Sequence, residues 1–171
     1  MSATYGKATA IMRIALGFGF LYAGLDKALD LAGSGAFTAV GFLKFATGGA
    51  LPGSNPKVIV NPTHALWVAL ANNGSLMPLV NTLVVCGELA IGAALILGIA
   101  TRFAGVMGAI LTTLFFVASW SFATGVVNED FLYASLSLYC AVVGAGAVWG
   151  LDGYLARTQF LAKTPLRVFV A

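Results

Sequence analysis

Charge is what this chain has least of. Only 9% of its 171 residues are Asp, Glu, Lys or Arg, against about 25% in an ordinary soluble domain. So few charges cannot solvate a globular surface, which argues against a free-standing soluble domain. Histidine is nearly missing too, with His64 alone. A haem held within a helical bundle needs axial ligands such as paired histidines, so no haem bound by this chain alone is expected. The two cysteines, Cys86 and Cys140, form neither a paired redox motif nor the ligand set of an iron–sulfur cluster or structural zinc. They read as small buried residues, and no metal is expected. No glycine-rich phosphate loop follows a strand pattern, so no nucleotide or flavin site is encoded.

What fills the chain instead is apolar: 60% of residues are hydrophobic and the mean hydropathy is +0.95. A membrane span needs roughly 20 such residues. Four segments meet that need, at about 8–25, 77–99, 103–127 and 131–150, leaving a loop at about 26–75 and a tail at 151–171. The expected fold is therefore all-α: one integral membrane domain over 1–171, a four-helix bundle with a long outer-face loop. A signal peptide fits the first run poorly, because Arg13 interrupts it and Phe20 and Tyr22 crowd the cleavage position. Outer-membrane strands would alternate in ten-residue segments, whereas Val84 to Ala100 is almost unbroken.

Lys7, Arg13, Arg102, Arg157, Lys163 and Arg167 gather at one end of the expected spans. The positive-inside rule then puts both termini in the cytoplasm and the long loop outside, in a prokaryotic plasma membrane. The net charge of +3 fits lipid contact through the basic, aromatic tail better than nucleic acid. The loop is too long to be a plain connection. Phe37, Val40, Phe42, Leu43 and Phe45 make an apolar surface, broken at Gly48 to Gly53, while Asn61 and Pro62 read as the cap and first position of a helix carrying Leu66, Trp67 and Leu70. Two short helices over the outer mouth are expected.

Arg13 and Glu88 are charges set inside apolar runs, which makes each a functional-site candidate by default. Glu88 lies about ten residues beyond Pro78, roughly 15 Å below the helix end, and Arg13 is its expected partner, either as a proton relay or as a structural ion pair. Small residues recur at four-residue spacing, as in Ala15, Gly19 and Ala23 or Ala90, Ala94 and Gly98, and this permits close helix contact within the bundle or with partner subunits.

Arg13-Ile-Ala-Leu-Gly17, Phe20-Leu-Tyr-Ala-Gly24 with Lys27, Gly87-Glu88 with Gly92, and Leu97-Gly98-Ile-Ala-Thr101-Arg102 together resemble the DoxX/DoxD family of prokaryotic four-span membrane proteins. The long first loop, with Gly41-Phe-Leu-Lys44 and the Trp67 segment, is more similar to the DoxD branch, which includes the membrane subunit of thiosulfate:quinone oxidoreductase. The resemblance implies a subunit of a quinone-linked redox or respiratory complex, with thiosulfate as one electron donor.

A quinone pocket wants apolar, aromatic walls and a few hydrogen-bonding groups. Phe116, Trp120 and Tyr133 are the expected walls, with Asn128, Glu129 and Lys27 as polar ends. Each has a plainer reading as interfacial belt, helix cap or solvated boundary. Lys27, Lys44 and Lys57 can attract an anion, but Asp26, Asp30, Glu129 and Asp130 share that side. The competing expectation is a noncatalytic accessory subunit that binds partner helices and lipid. A transporter fits less well, since four spans without a repeat or broken paired helices offer little alternating-access machinery.

Overall fold

A computed structural model of the chain describes residues 3–31, 33, 35–46, 61–120 and 127–157. Among these residues every regular element is helical: α1 (Ala3–Leu29), a π-helical turn (Phe42–Ala46), α2 (His64–Ala71), α3 (Met77–Leu97), α4 (Thr101–Ser119), α5 (Glu129–Val143), a 3-10 turn (Ala145–Ala147) and α6 (Leu151–Leu155). Three helices, α1, α3 and α4, are long and apolar enough to cross a membrane. The chain is a helical membrane protein.

Each long helix stops where its sequence stops supporting it. Pro78 sits in the first turn of α3, where its missing N–H has no partner to lose, and Gly98 ends that helix at φ 64°. Asn128 caps α5 by accepting a bond from the Phe131 amide at 3.0 Å, and Gly144 closes it at φ 62°. The left-handed residue satisfies the last carbonyls without a Cβ penalty. This shortens the expected fourth span: α5 has 15 residues, about 22 Å, and the chain then turns through Ala145–Ala147 and Trp149 at φ 53°. The expected third span is shortened too. Trp120 is extended, at φ −66° and ψ 135°, so helix does not continue to Val127, and 121–126 lie outside the described residues. The first span is longer than expected because no proline interrupts Ala3 to Lys7 or Asp26 to Leu29, and the lone Gly6 does not stop the helix.

The four long helices close into a ring in which α1 touches α3, α3 touches α4, α4 touches α5 and α5 returns to α1. Glycines set the closest crossings. A Cβ on Gly92 would stand 2.5 Å from the Leu21 amide nitrogen, one on Gly24 would meet Leu89, and one on Gly105 would meet Ser137 and Ala141. Leu16, Phe20, Ile91, Leu95, Ala104 and Cys140 fill the space between. Of the small residues singled out at four-residue spacing, Ala94 packs on this core and Gly98 is filled by Arg13, so Ala90, Ala94 and Gly98 do not form one outward face. Hydroxyls on the helices bond back to the carbonyl one turn earlier, Thr82 to Pro78, Thr112 to Gly108 and Ser135 to Phe131, each at 2.8 Å. Lipid offers them no other partner.

The α1–α3 contacts pair Gly17 with Ile96 and Gly24 with Leu89, so α3 stands about two turns beyond the end of α1. A second apolar cluster packs against that overhang: Ala39 and Leu43 from the loop, Ala71 from α2, and Met77. Two asparagines fasten it. Asn81 accepts from the Ala39 amide at 2.9 Å, and buried Asn61 donates to the Val117 and Ala118 carbonyls at the end of α4 while accepting from Thr63. Helix α2 therefore starts at His64, with Thr63 in the capping position, two residues later than the Asn61 cap expected from sequence. The end bearing this layer is the loop end; the other, carrying Ala3 and α6, is the terminal end. The breaker at Gly48 to Gly53, Lys57 and the basic tail beyond Arg157 lie outside the described residues.

Candidate functional site

The two buried charges expected to meet each other lie at opposite ends of the bundle. Glu88, 3% exposed, is paired with Lys27, whose Nζ is 3.0 Å from Oε1 and 2.9 Å from Oε2. Lys27 also donates to the Ala23 carbonyl at 3.2 Å and lies 5.7 Å from the centre of the Phe37 ring. Arg13 is about four turns away along α1, roughly 21 Å, so it cannot reach Glu88. The register set by Gly17 and Gly24 brings the last turn of α1, not its first half, level with Glu88.

Arg13 instead enters a knot at the terminal end. It is fully buried, donates from Nη2 to the Trp149 carbonyl at 3.0 Å, and occupies the space a side chain at Gly98 would need. Close to it is Asp152, also 0% exposed. Its Oδ1 accepts from the Ala100 amide and its Oδ2 from the Thr101 amide, both at 2.8 Å, and its own amide donates to the Gly98 carbonyl at 2.8 Å. Helix α4 opens after Ala100 in a left-handed conformation at φ 48° with no cap of its own. Asp152 supplies that cap from fifty residues along the chain, and its charge suits both the helix N-terminus and Arg13. The start of the expected tail is thus a structural strut.

At the loop end, the overhang of α3, the first ends of the loop layer and the α4–α5 junction enclose an open cavity of about 650 Å³. Phe37, Phe42, Phe115, Ala39 and Val84 form its apolar wall, and Lys27, Ser119, Asn128, Glu129 and Asp130 its polar side. Phe42 meets Phe115 edge-on, with ring centroids 5.9 Å apart. Three of the polar groups are joined: Ser119 Oγ donates to Asp130 at 3.0 Å and accepts from Asn128 Nδ2 at 3.1 Å. Burial raises the Asp130 carboxyl above its ordinary range; the Ser119 bond opposes this, and neighbouring Glu129 adds to it.

Of the residues expected here, Lys27, Asn128 and Glu129 line the cavity. Phe116, Trp120 and Tyr133 are not among its walls. Phe116 packs on Phe131 with centroids 5.7 Å apart, and Tyr133 meets Phe20 edge-on at 5.8 Å with its hydroxyl close to Gly19. Phe37, Phe42, Phe115, Ser119 and Asp130 take part unforeseen. Phe115 rather than Phe116 faces inward because one step around a helix is about 100°. Cys140 is buried and Cys86 exposed on α3, so the expectation of two buried thiols holds for Cys140 alone.

The arrangement can hold an apolar ring against aromatic walls and offers it carboxylates, an amide and an ammonium among the lining groups. No protein-family model, curated protein or solved structure matches the chain.

Proposed function

We propose that this chain is a membrane subunit of a quinone-linked redox complex, of the DoxX/DoxD-like kind that its motifs resemble. The loop-end cavity takes the quinone ring. A partner subunit delivers the electrons, from thiosulfate or another reduced sulfur compound. The observation that carries this reading is the cavity itself: about 650 Å³, with mostly apolar walls and a few polar groups, within the size and character usual for small-molecule sites. Its position at one end of the bundle suits a ligand that arrives through lipid.

The basic residues at the terminal end favour cytoplasmic termini and an outward loop end in a prokaryotic plasma membrane. A cysteine placed at Glu129 should therefore label from outside intact cells; labelling only after the membrane is opened would reverse the orientation.

Gentle extraction of the native complex should retain quinone together with other subunits. Phe42→Ala with Phe115→Ala removes two aromatic walls worth about 0.5–1.5 kcal/mol each beyond their area, so retained quinone should fall about tenfold while the complex stays assembled. Full retention and full turnover in that variant would reject the cavity as the quinone site and favour an accessory subunit that binds partners and lipid.

A further inference from the structure

The side-chain charges that face outward at the terminal end are all of one sign. The chain has six acids. Asp26, Asp30, Glu129 and Asp130 belong to the loop end, Glu88 is buried against Lys27, and Asp152 is fully buried and committed to the Ala100 and Thr101 amides. Lys7 on α1, Arg102 on α4 and Arg157 just beyond α6 are exposed. Among the described residues, no side-chain carboxylate at that end is left to pair with them.

The three bases are rooted around one turn, Val148 to Asp152. Gly6, next to Lys7, packs so closely on this turn that a Cβ on it would stand 2.9 Å from Val148 Cγ2. Thr101, next to Arg102, gives its amide to Asp152 at 2.8 Å. Ala156, next to Arg157, gives its amide to the Asp152 carbonyl at 2.8 Å. The turn carries Trp149, which is exposed although its backbone is left-handed at φ 53°. A bulky residue keeps that conformation only where its surroundings impose it. Here buried Arg13 holds the Trp149 carbonyl at 3.0 Å, and Gly98 and Gly150 leave the guanidinium its room. Tyr5, beside Gly6 in the chain, and Tyr154, two residues after Asp152, are exposed as well.

The depth of the turn says what it meets. Arg102 is the second residue of α4, Lys7 lies in the first turns of α1, and both helices are long and apolar enough to cross a membrane, so the bases stand where hydrocarbon gives way to headgroups. Amphipathic aromatic rings settle at that level, and bases beside them meet lipid phosphates. We infer that Lys7, Arg102 and Arg157 form, around Trp149, a binding site for the headgroup of an anionic phospholipid. The site belongs to the helical body rather than to the basic tail, and it is independent of the loop-end cavity.

Trp149 is its own probe. In full-length protein carrying Trp67→Phe and Trp120→Phe it is the one tryptophan left of three, and a neighbouring lipid with brominated chains quenches its fluorescence. The protein is reconstituted into phosphatidylcholine vesicles at low salt, with brominated phosphatidylglycerol or brominated phosphatidylcholine as the quencher. The anionic lipid should be favoured beside Trp149 at least fivefold, since one base near an anionic surface is worth about fivefold in affinity, and high salt should weaken the preference. Lys7→Gln, Arg102→Gln and Arg157→Gln, all at exposed positions, should leave helix content unchanged and lower the preference in steps, to about one when combined. Lys44→Gln at the loop end should not change it. Equal quenching by the two lipids in the parent protein would overturn lipid as the occupant and leave an acidic face of a partner subunit as what these bases meet. A preference that survives the triple substitution would overturn the assignment to these residues. Loss of the preference on adding millimolar inorganic phosphate at constant ionic strength would overturn the headgroup in favour of a free anion.

Discussion

Asp152→Ala is expected to lower unfolding stability in detergent by about 3–5 kcal/mol, as is usual when one partner of a buried charged network is removed. The loss has two parts. The Ala100 and Thr101 amides each lose their 2.8 Å acceptor, and buried Arg13 loses the favourable field of a carboxylate. Asp152→Asn keeps an acceptor oxygen for one amide but no charge, and should fall between wild type and Ala. Arg13→Met removes the bond to the Trp149 carbonyl yet leaves the cap of α4 in place, so it should cost less than Asp152→Ala. The two losses should combine by less than their sum, because the residues share one network. Reversible unfolding followed by helix content is the measurement. A change under about 0.5 kcal/mol for Asp152→Ala would mean that α4 does not depend on this cap.

The second large effect belongs to Lys27 and Glu88. Lys27→Met leaves a carboxylate that is 3% exposed without its ion-pair partner, and should cost about 3 kcal/mol, toward the lower end for a broken buried pair because Lys27 itself is partly exposed. Glu88→Leu should cost less, since the lysine can extend into the cavity and toward water. The double replacement Lys27→Met, Glu88→Leu should recover much of the loss, as apolar residues of similar size pack where the pair stood. Recovery is the diagnostic. Strictly additive losses in the double variant would show that the two side chains do not act as a pair.

Helical character, membrane association and the two-part loop layer were legible from apolar runs and breakers alone. Helix ends were less so. Gly144 stops α5 inside a run that reads as one continuous span, and hydropathy does not distinguish a left-handed stop from a packing glycine. The Lys27–Glu88 pair was hidden by an assumption of level helix ends. Once Gly17 and Gly24 are taken as the points where α3 crosses α1, Glu88 falls beside the last turn of α1, and Lys27 is the basic residue that this turn carries. Asp152 did leave a trace. Ala100 precedes Thr101 and Arg102 with no capping side chain of its own, so the free amides of α4 required an acceptor from elsewhere. A lone acid after Gly150, in what reads as a tail, gave no hint that it was the one. The site was half legible: Lys27, Asn128 and Glu129 could be nominated from polarity at a span end, but the choice of Phe115 over Phe116 depends on helix rotation, and Phe37 and Phe42 arrive by a loop path that apolar patterning cannot trace.

The most direct measurement of the proposed site is photolabelling of the native membrane with a benzoquinone carrying a photoreactive group, followed by peptide mapping. Label should concentrate on the segment containing Phe37 and Phe42 and on the segments containing Phe115, Ser119 and Asn128 to Asp130, and unlabelled quinone should compete it away. Label spread over the lipid-facing residues of α1 and α4 without competition, or confined to the terminal end around Arg13 and Trp149, would contradict a quinone site at the loop end.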